Sequence, residues 1–115
     1  MLAPPPDDIL LAFRHALRRS RVRAEILLVL RAYGRQTLPD LARLVGATPD
    51  NVQGALYGSE KRYRPDESLL ALGLVDVQEV DDVEAFELAA LGQAVARRLH
   101  EEVERRRGPL PLVRT

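Results

Sequence analysis

The chain contains no cysteine and no tryptophan among its 115 residues, and only two histidines, His15 and His100. Without cysteine there is neither a disulfide nor a thiolate zinc site, so a hydrophobic core has to hold the fold. Two histidines are too few for most metal or catalytic constellations, and the expectation is no metal and no cofactor. An excess of one charge is also missing. Seventeen basic residues meet seventeen acidic ones, whereas a nucleic-acid-binding domain is ordinarily basic. No apolar run, 26–30 included, exceeds five residues, far short of the roughly 20 residues that cross a bilayer. The opening MLAPPP has neither the basic start nor the apolar stretch of a secretory signal. Together these absences predict a soluble, cytoplasmic protein without membrane association.

Enzyme signatures are missing as well. The sequence has no phosphate-binding G-x-x-x-x-G-K-[ST] loop and no G-x-G-x-x-G. The run HEEVE from His100 starts like a zinc-protease helix, but position 104 is Glu and not the second histidine. Asp81-Asp82 falls in a turn with no partner cluster for acid–base work. No enzymatic activity is expected.

What is present is enough for one domain of 115 residues: 46% of them are hydrophobic. Charge is segregated along the chain. Arg14, Arg18, Arg19, Arg21, Arg23, Arg31 and Arg35 crowd the first third, and Lys61, Arg62 and Arg64 cluster in the middle. Asp76, Glu79, Asp81, Asp82, Glu84 and Glu87 make the next segment acidic. Nearly all the basic residues are Arg, a bias more in keeping with a GC-rich genome than with phosphate recognition. Arg18, Arg19, Arg21 and Arg23 are expected on a solvated or salt-bridged helix surface.

Periodicity supplies the elements. Residues 1–6 are expected as a flexible leader. A first helix starts at Asp7 or Asp8 and runs to Arg19, with Leu10, Phe13 and Leu17 on one face. Ser20 caps a second helix to Tyr33, whose core stripe is Val22, Ile26, Val29, Leu30 and Tyr33. After a basic loop, 58–64, a short helix is expected from Asp66 to Leu72, closed by Gly73. The period then changes to two. Residues 74–80 and 83–88 read as strands joined by an Asp81-Asp82 turn. Leu91, Val95, Leu99 and Val103 mark a long closing helix to about Arg107, and 108–115 is expected as a flexible tail.

The most informative stretch is TLPDLARLVGATPDNVQGALY, 37–57. Thr37 is placed to cap a helix carrying Leu38, Leu41, Leu44 and Val45, and Gly46 to end it. Thr48 caps a second helix with Pro49 just inside and Val52, Ala55 and Leu56 as its apolar side. Two capped helices around a glycine turn are the helix-turn-helix layout, whose second helix is offered to the DNA major groove.

The order of elements resembles the winged helix-turn-helix transcriptional regulators of the MarR, ArsR and PadR type over 20–99. The pieces that carry it are RAEILLVLRAYG, the helix pair, LLALGLVDV and FELAALGQAVARRL. The last two are similar to that family's L-x-x-L-G-L-V lead-in to the wing and Y-x-L-T-x-x-G passage out of it. Ala89 stands where the family often has a capping Thr. The segment GSEKRYRPDESLLALGLV also resembles a group of predicted archaeal winged-helix regulators. The resemblance implies one winged-helix domain over 1–115, mainly α with a small β-hairpin, its core at 20–99 flanked by an N-terminal and a long C-terminal helix.

On the helix 49–57 the outward positions are Pro49, Asp50, Asn51, Gln53, Gly54 and Tyr57. Asn51 and Gln53 have the donor–acceptor pairs that read adenine. Thr48 marks a helix start with free N–H groups for a phosphate. Asp50 and Tyr57 flank this surface, and Gly54 leaves room for a groove wall. Lys61, Arg62, Tyr63 and Arg64 suit phosphate contacts, with Arg35 and Gln36 as weaker candidates. The expected function is sequence-specific binding of double-stranded DNA by a prokaryotic transcriptional regulator. It is expected as a homodimer through its N-terminal and C-terminal helices, so that two half-sites restore specificity. The acidic tip at Asp81-Asp82 departs from DNA-binding wings, which carry Arg or Lys there. The alternative is a winged-helix protein-interaction module that uses this acidic wing and does not bind DNA specifically.

Overall fold

The computed structural model describes residues 21–58 and 68–107. The leader, the helix expected up to Arg19, the Ser20 cap, Lys61 to Arg64 and the tail from Gly108 lie outside the described residues.

Among the described residues four helices and three strands follow one another: α1 (Arg21–Tyr33), β1 (Gln36–Thr37), α2 (Leu38–Val45), α3 (Pro49–Tyr57), β2 (Val75–Val80), β3 (Val83–Leu88) and α4 (Ala90–Arg107). The described fold is thus mixed helix and sheet. α1 is the central helix. Its buried Ala24, Ile26, Leu27 and Leu30 recur at helical spacing, and it packs against α2, α3, α4 and β3. The stripe was expected to continue to Tyr33, but that ring is 65% exposed. Residues 31–35 are all exposed, so the last turn of α1 runs past the packed layer.

α2 and α3 form as their caps dictate. Thr37 Oγ1 accepts the Asp40 N–H at 3.4 Å and Thr48 Oγ1 accepts the Asn51 N–H at 3.2 Å. Between them Gly46 adopts φ 76°, a left-handed conformation that other residues take only at a cost, and its N–H bonds the Ala42 carbonyl at 2.9 Å. Leu41, Ala42 and Val45 of α2 and Val52, Ala55 and Leu56 of α3 enter the common core with α1.

The sheet is antiparallel in the order β1-β3-β2. β2 and β3 are the expected hairpin, in register from Val75↔Leu88 to Val80↔Val83. β1 adds a short third strand, pairing Gln36 with Phe86 and Thr37 with Ala85. Asp81 and Asp82 make the turn with φ 51° and 66°, the sign pattern of a type I′ hairpin turn. The buried Val75, Phe86 and Leu88 close the core against the helices.

Of the helix expected over 66–72, residues 66 and 67 lie outside the described residues, and 68–73 make turns with one helical bond, from the Leu72 N–H to the Ser68 carbonyl at 2.9 Å. The Leu69 and Leu70 N–H groups donate to the carbonyls of Ala55 and Leu56 in α3, at 3.0 and 3.1 Å. Their bonds go to a neighbouring helix, and Ser68 Oγ accepts the Ala71 N–H at 3.1 Å. α4 begins where the hairpin ends. Gly92 in its first turn lies directly on the backbone of Leu74, whose carbonyl also accepts the Ala89 N–H at 3.0 Å.

Candidate nucleic-acid interface

α3 turns its apolar side to α1 and α2 and its polar side outward. Thr48, Pro49, Asp50 and Gln53 are exposed, and Asn51 is half-buried. The Thr48 cap fixes where the helix starts, so Asp50 and Gln53 project from its first and second turns beside the Gly46 turn. Gly54 was expected on this outward side. It lies instead among the buried residues of α3. Among the described residues of α3 the only formal charge is Asp50, so cations for a phosphate backbone have to come from neighbouring segments.

Tyr57, at the last position of α3, is held by the hairpin. Its hydroxyl donates to Glu84 Oε1 at 2.9 Å, and its ring meets Phe86 edge-on at 6.0 Å between centroids. Burial, followed by the hydrogen bond and negative charge of Glu84, pushes the phenol up to about 12. Arg35 is likewise engaged: its Nε donates to Glu87 Oε1 at 3.0 Å in an exposed ion pair. Gln36 Nε2 donates to the Tyr33 carbonyl at 3.3 Å. Arg35 and Tyr57 are therefore both tied to β3, through carboxylates on its two opposite faces. Sequence spacing alone does not reveal either partnership, because Arg35 and Glu87 are 52 positions apart.

Lys61, Arg62, Tyr63 and Arg64 lie outside the described residues, but the ends of their segment are placed. Gly58 caps α3, its N–H on the Gly54 carbonyl at 2.7 Å. Leu69 and Leu70 return to the same helix end. The described chain thus leaves and re-enters at the C-terminal end of α3.

The hairpin carries a third group. Asp76, Glu79, Asp81, Asp82 and Glu84 are exposed on or around its outer half, and Glu79 stands directly opposite Glu84. Like charges facing each other across a strand pair are unfavourable, and the Tyr57 hydroxyl offsets part of this by donating to Glu84. Among the described residues no group of three or more His, Asp or Glu side chains is placed to hold a metal ion. No described helix is long and apolar enough to cross a membrane.

A family model described as EarA-like matches residues 13–99. The chain belongs to the EarA-like family. It is similar to an uncharacterized protein of Methanocaldococcus jannaschii, with 33% identity over 89 residues that cover 76% of this chain and 80% of the relative. No solved structure matches the chain. The EarA-like match takes in α1, the α2–α3 pair, the hairpin and most of α4, so every element of the candidate interface lies within it.

Proposed function

We propose that this EarA-like chain is a winged helix-turn-helix transcriptional regulator that binds double-stranded DNA. In this reading α3 enters the major groove and the β2–β3 hairpin is the wing, as in MarR-, ArsR- and PadR-type proteins. The observation that carries the reading is the α2–Gly46–α3 unit, with two capped helices, one left-handed glycine and the polar side of α3 exposed. Asn51 and Gln53 are the base readers, and Lys61, Arg62 and Arg64 supply phosphate contacts at the end of the same helix. The acidic tip at Asp81-Asp82 is repelled by phosphate and stands off the minor groove. The protein acts in the cytoplasm as a homodimer through its N-terminal and C-terminal helices, which sets two α3 helices on two half-sites.

Fluorescence anisotropy of labelled random-sequence duplex DNA, from low to physiological salt, tests the reading. Binding should weaken steeply as salt rises, because each phosphate contact releases counterions. Arg62→Ala and Arg64→Ala should weaken all sequences alike. Asn51→Ala and Gln53→Ala should instead change the order of preference among selected sequences. Absence of binding at low salt would refute the proposal.

A further inference from the structure

β2 is an edge strand. β3 covers one side of it, and five of its six residues are exposed. A two-residue turn makes Val80↔Val83 a hydrogen-bonded pair, and such pairs alternate along an antiparallel ladder. The hydrogen-bonded pairs are therefore 80↔83, 78↔85 and 76↔87. Val75, Val77 and Glu79 fall between them and point their N–H and C=O groups away from β3. The Val75 N–H is used, on the Leu69 carbonyl at 3.4 Å. The backbone of Val77 and Glu79 faces outward with no pairing strand among the described residues.

From this geometry we infer that the β2 edge is a docking site for an extended basic segment of another protein, taken up as an added antiparallel strand. The backbone supplies the hydrogen bonds, and the side chains define the sequence. Val77 and Glu79 lie on one face of the sheet, and Asp76, Gln78 and Val80 on the other. Val77 and Val80 are 38% and 40% exposed, an uncovered apolar position on each face. Cross-strand neighbours interact directly. A partner strand running antiparallel past Val80, Glu79, Gln78, Val77 and Asp76 therefore suits the order apolar, basic, any, apolar, basic. Charge selects against self-pairing: a second β2 would bring its own Asp76, Glu79 and Asp81 to the same edge, and carboxylates on edge strands oppose such association. An oppositely charged strand meets no such repulsion. This interaction uses the side of the hairpin away from Tyr57 and Glu84 and does not depend on DNA binding.

The probe is an acetylated and amidated heptapeptide, Thr-Val-Arg-Thr-Val-Arg-Thr, titrated into the 15N-labelled full chain. Saturable shifts should centre on the amides of Val77 and Glu79. A peptide with Glu in place of both Arg should bind at least about tenfold more weakly, as loss of the opposite charges requires. N-methylation of the peptide residues facing β2 should abolish binding, and N-methylation of the alternate residues should not. On the protein, Val77→Pro removes only an outward N–H, which edge strands tolerate, and should also lose at least about tenfold in affinity. Glu79→Lys should reverse the preference between the two peptides. Anisotropy on DNA should be unchanged by Val77→Pro, which separates this site from the DNA-binding surface. Equal binding of both peptides, insensitivity to N-methylation, or shifts outside β2 would overturn the proposal. So would loss of DNA affinity in Val77→Pro, which would place this edge in the groove instead.

Discussion

Replacing Gly92 by Ala decides between two opposite expectations. Helix propensity alone favours the change, because Ala is better than Gly by up to about 1 kcal/mol in a helix. The packing of α4 on Leu74 says otherwise. A methyl group added at Gly92 would stand 2.8 Å from the Leu74 carbonyl carbon and overlap its oxygen. These are backbone atoms and cannot rotate aside, so α4 or the start of β2 has to move. Overpacking of this kind costs about 1–3 kcal/mol. The displaced carbonyl also accepts the Ala89 N–H, and weakening that bond adds about 1 kcal/mol. After subtracting the propensity gain, Gly92→Ala should destabilise by about 1–3 kcal/mol. For a domain of this size that lowers Tm by roughly 4–15 °C. Urea and thermal unfolding followed by circular dichroism measure both. An unchanged or higher midpoint would refute the close approach of α4 to Leu74.

Three further predictions follow from the same packing. The Tyr57 phenol is raised in the fold to about 12, above its usual value of about 10; the stability this contributes is complete below pH about 10 and is lost as pH rises towards about 12. Because Tyr57 is 38% exposed, the effect should be about 1 kcal/mol and not the full value of the shift. It should disappear in Tyr57→Phe when denaturation is compared between those pH values. Asp82→Gly should stabilise the hairpin by about 0.5–1 kcal/mol, since Asp-Gly suits a turn with two positive φ angles better than Asp-Asp, and the urea midpoint reports it. Thr37→Ala and Thr48→Ala should each cost about 1 kcal/mol through loss of the cap, with Ser at either position restoring most of it.

The two capped helices, the hairpin with its Asp81-Asp82 turn and the closing helix were legible because each has a local signature: a cap, a glycine stop, a period of 3.6 or of 2. β1 was not, because two residues carry no period and Gln36–Thr37 becomes a strand only by pairing with β3. The helix expected over 66–72, closed by Gly73, survives among the described residues as a single helical bond, from the Leu72 N–H to the Ser68 carbonyl. The next bonds, from Gly73 to Leu70 and from Leu74 to Leu69, break the helical spacing. Gly54 was misplaced because a nine-residue helix with three apolar positions leaves its buried arc poorly defined. In the candidate interface, the polar side of α3 could be read from spacing. The carboxylate partners of Arg35 and Tyr57 could not, since both pairings cross from one element to another. Gly92 was visible only as part of the T-x-x-G resemblance, and the fold supplies its reason: a close approach to Leu74.

The bonds from Leu69 and Leu70 to Ala55 and Leu56 have a consequence for how this surface diverges. They clamp the chain on both sides of the segment between Gly58 and Ser68, at one end of one helix. The two points where the described chain leaves and rejoins this helix end are thereby held at a fixed separation. A chain joining two fixed points pays a closure cost that grows only slowly with its length, so a relative with a longer or shorter connection could keep the same clamp.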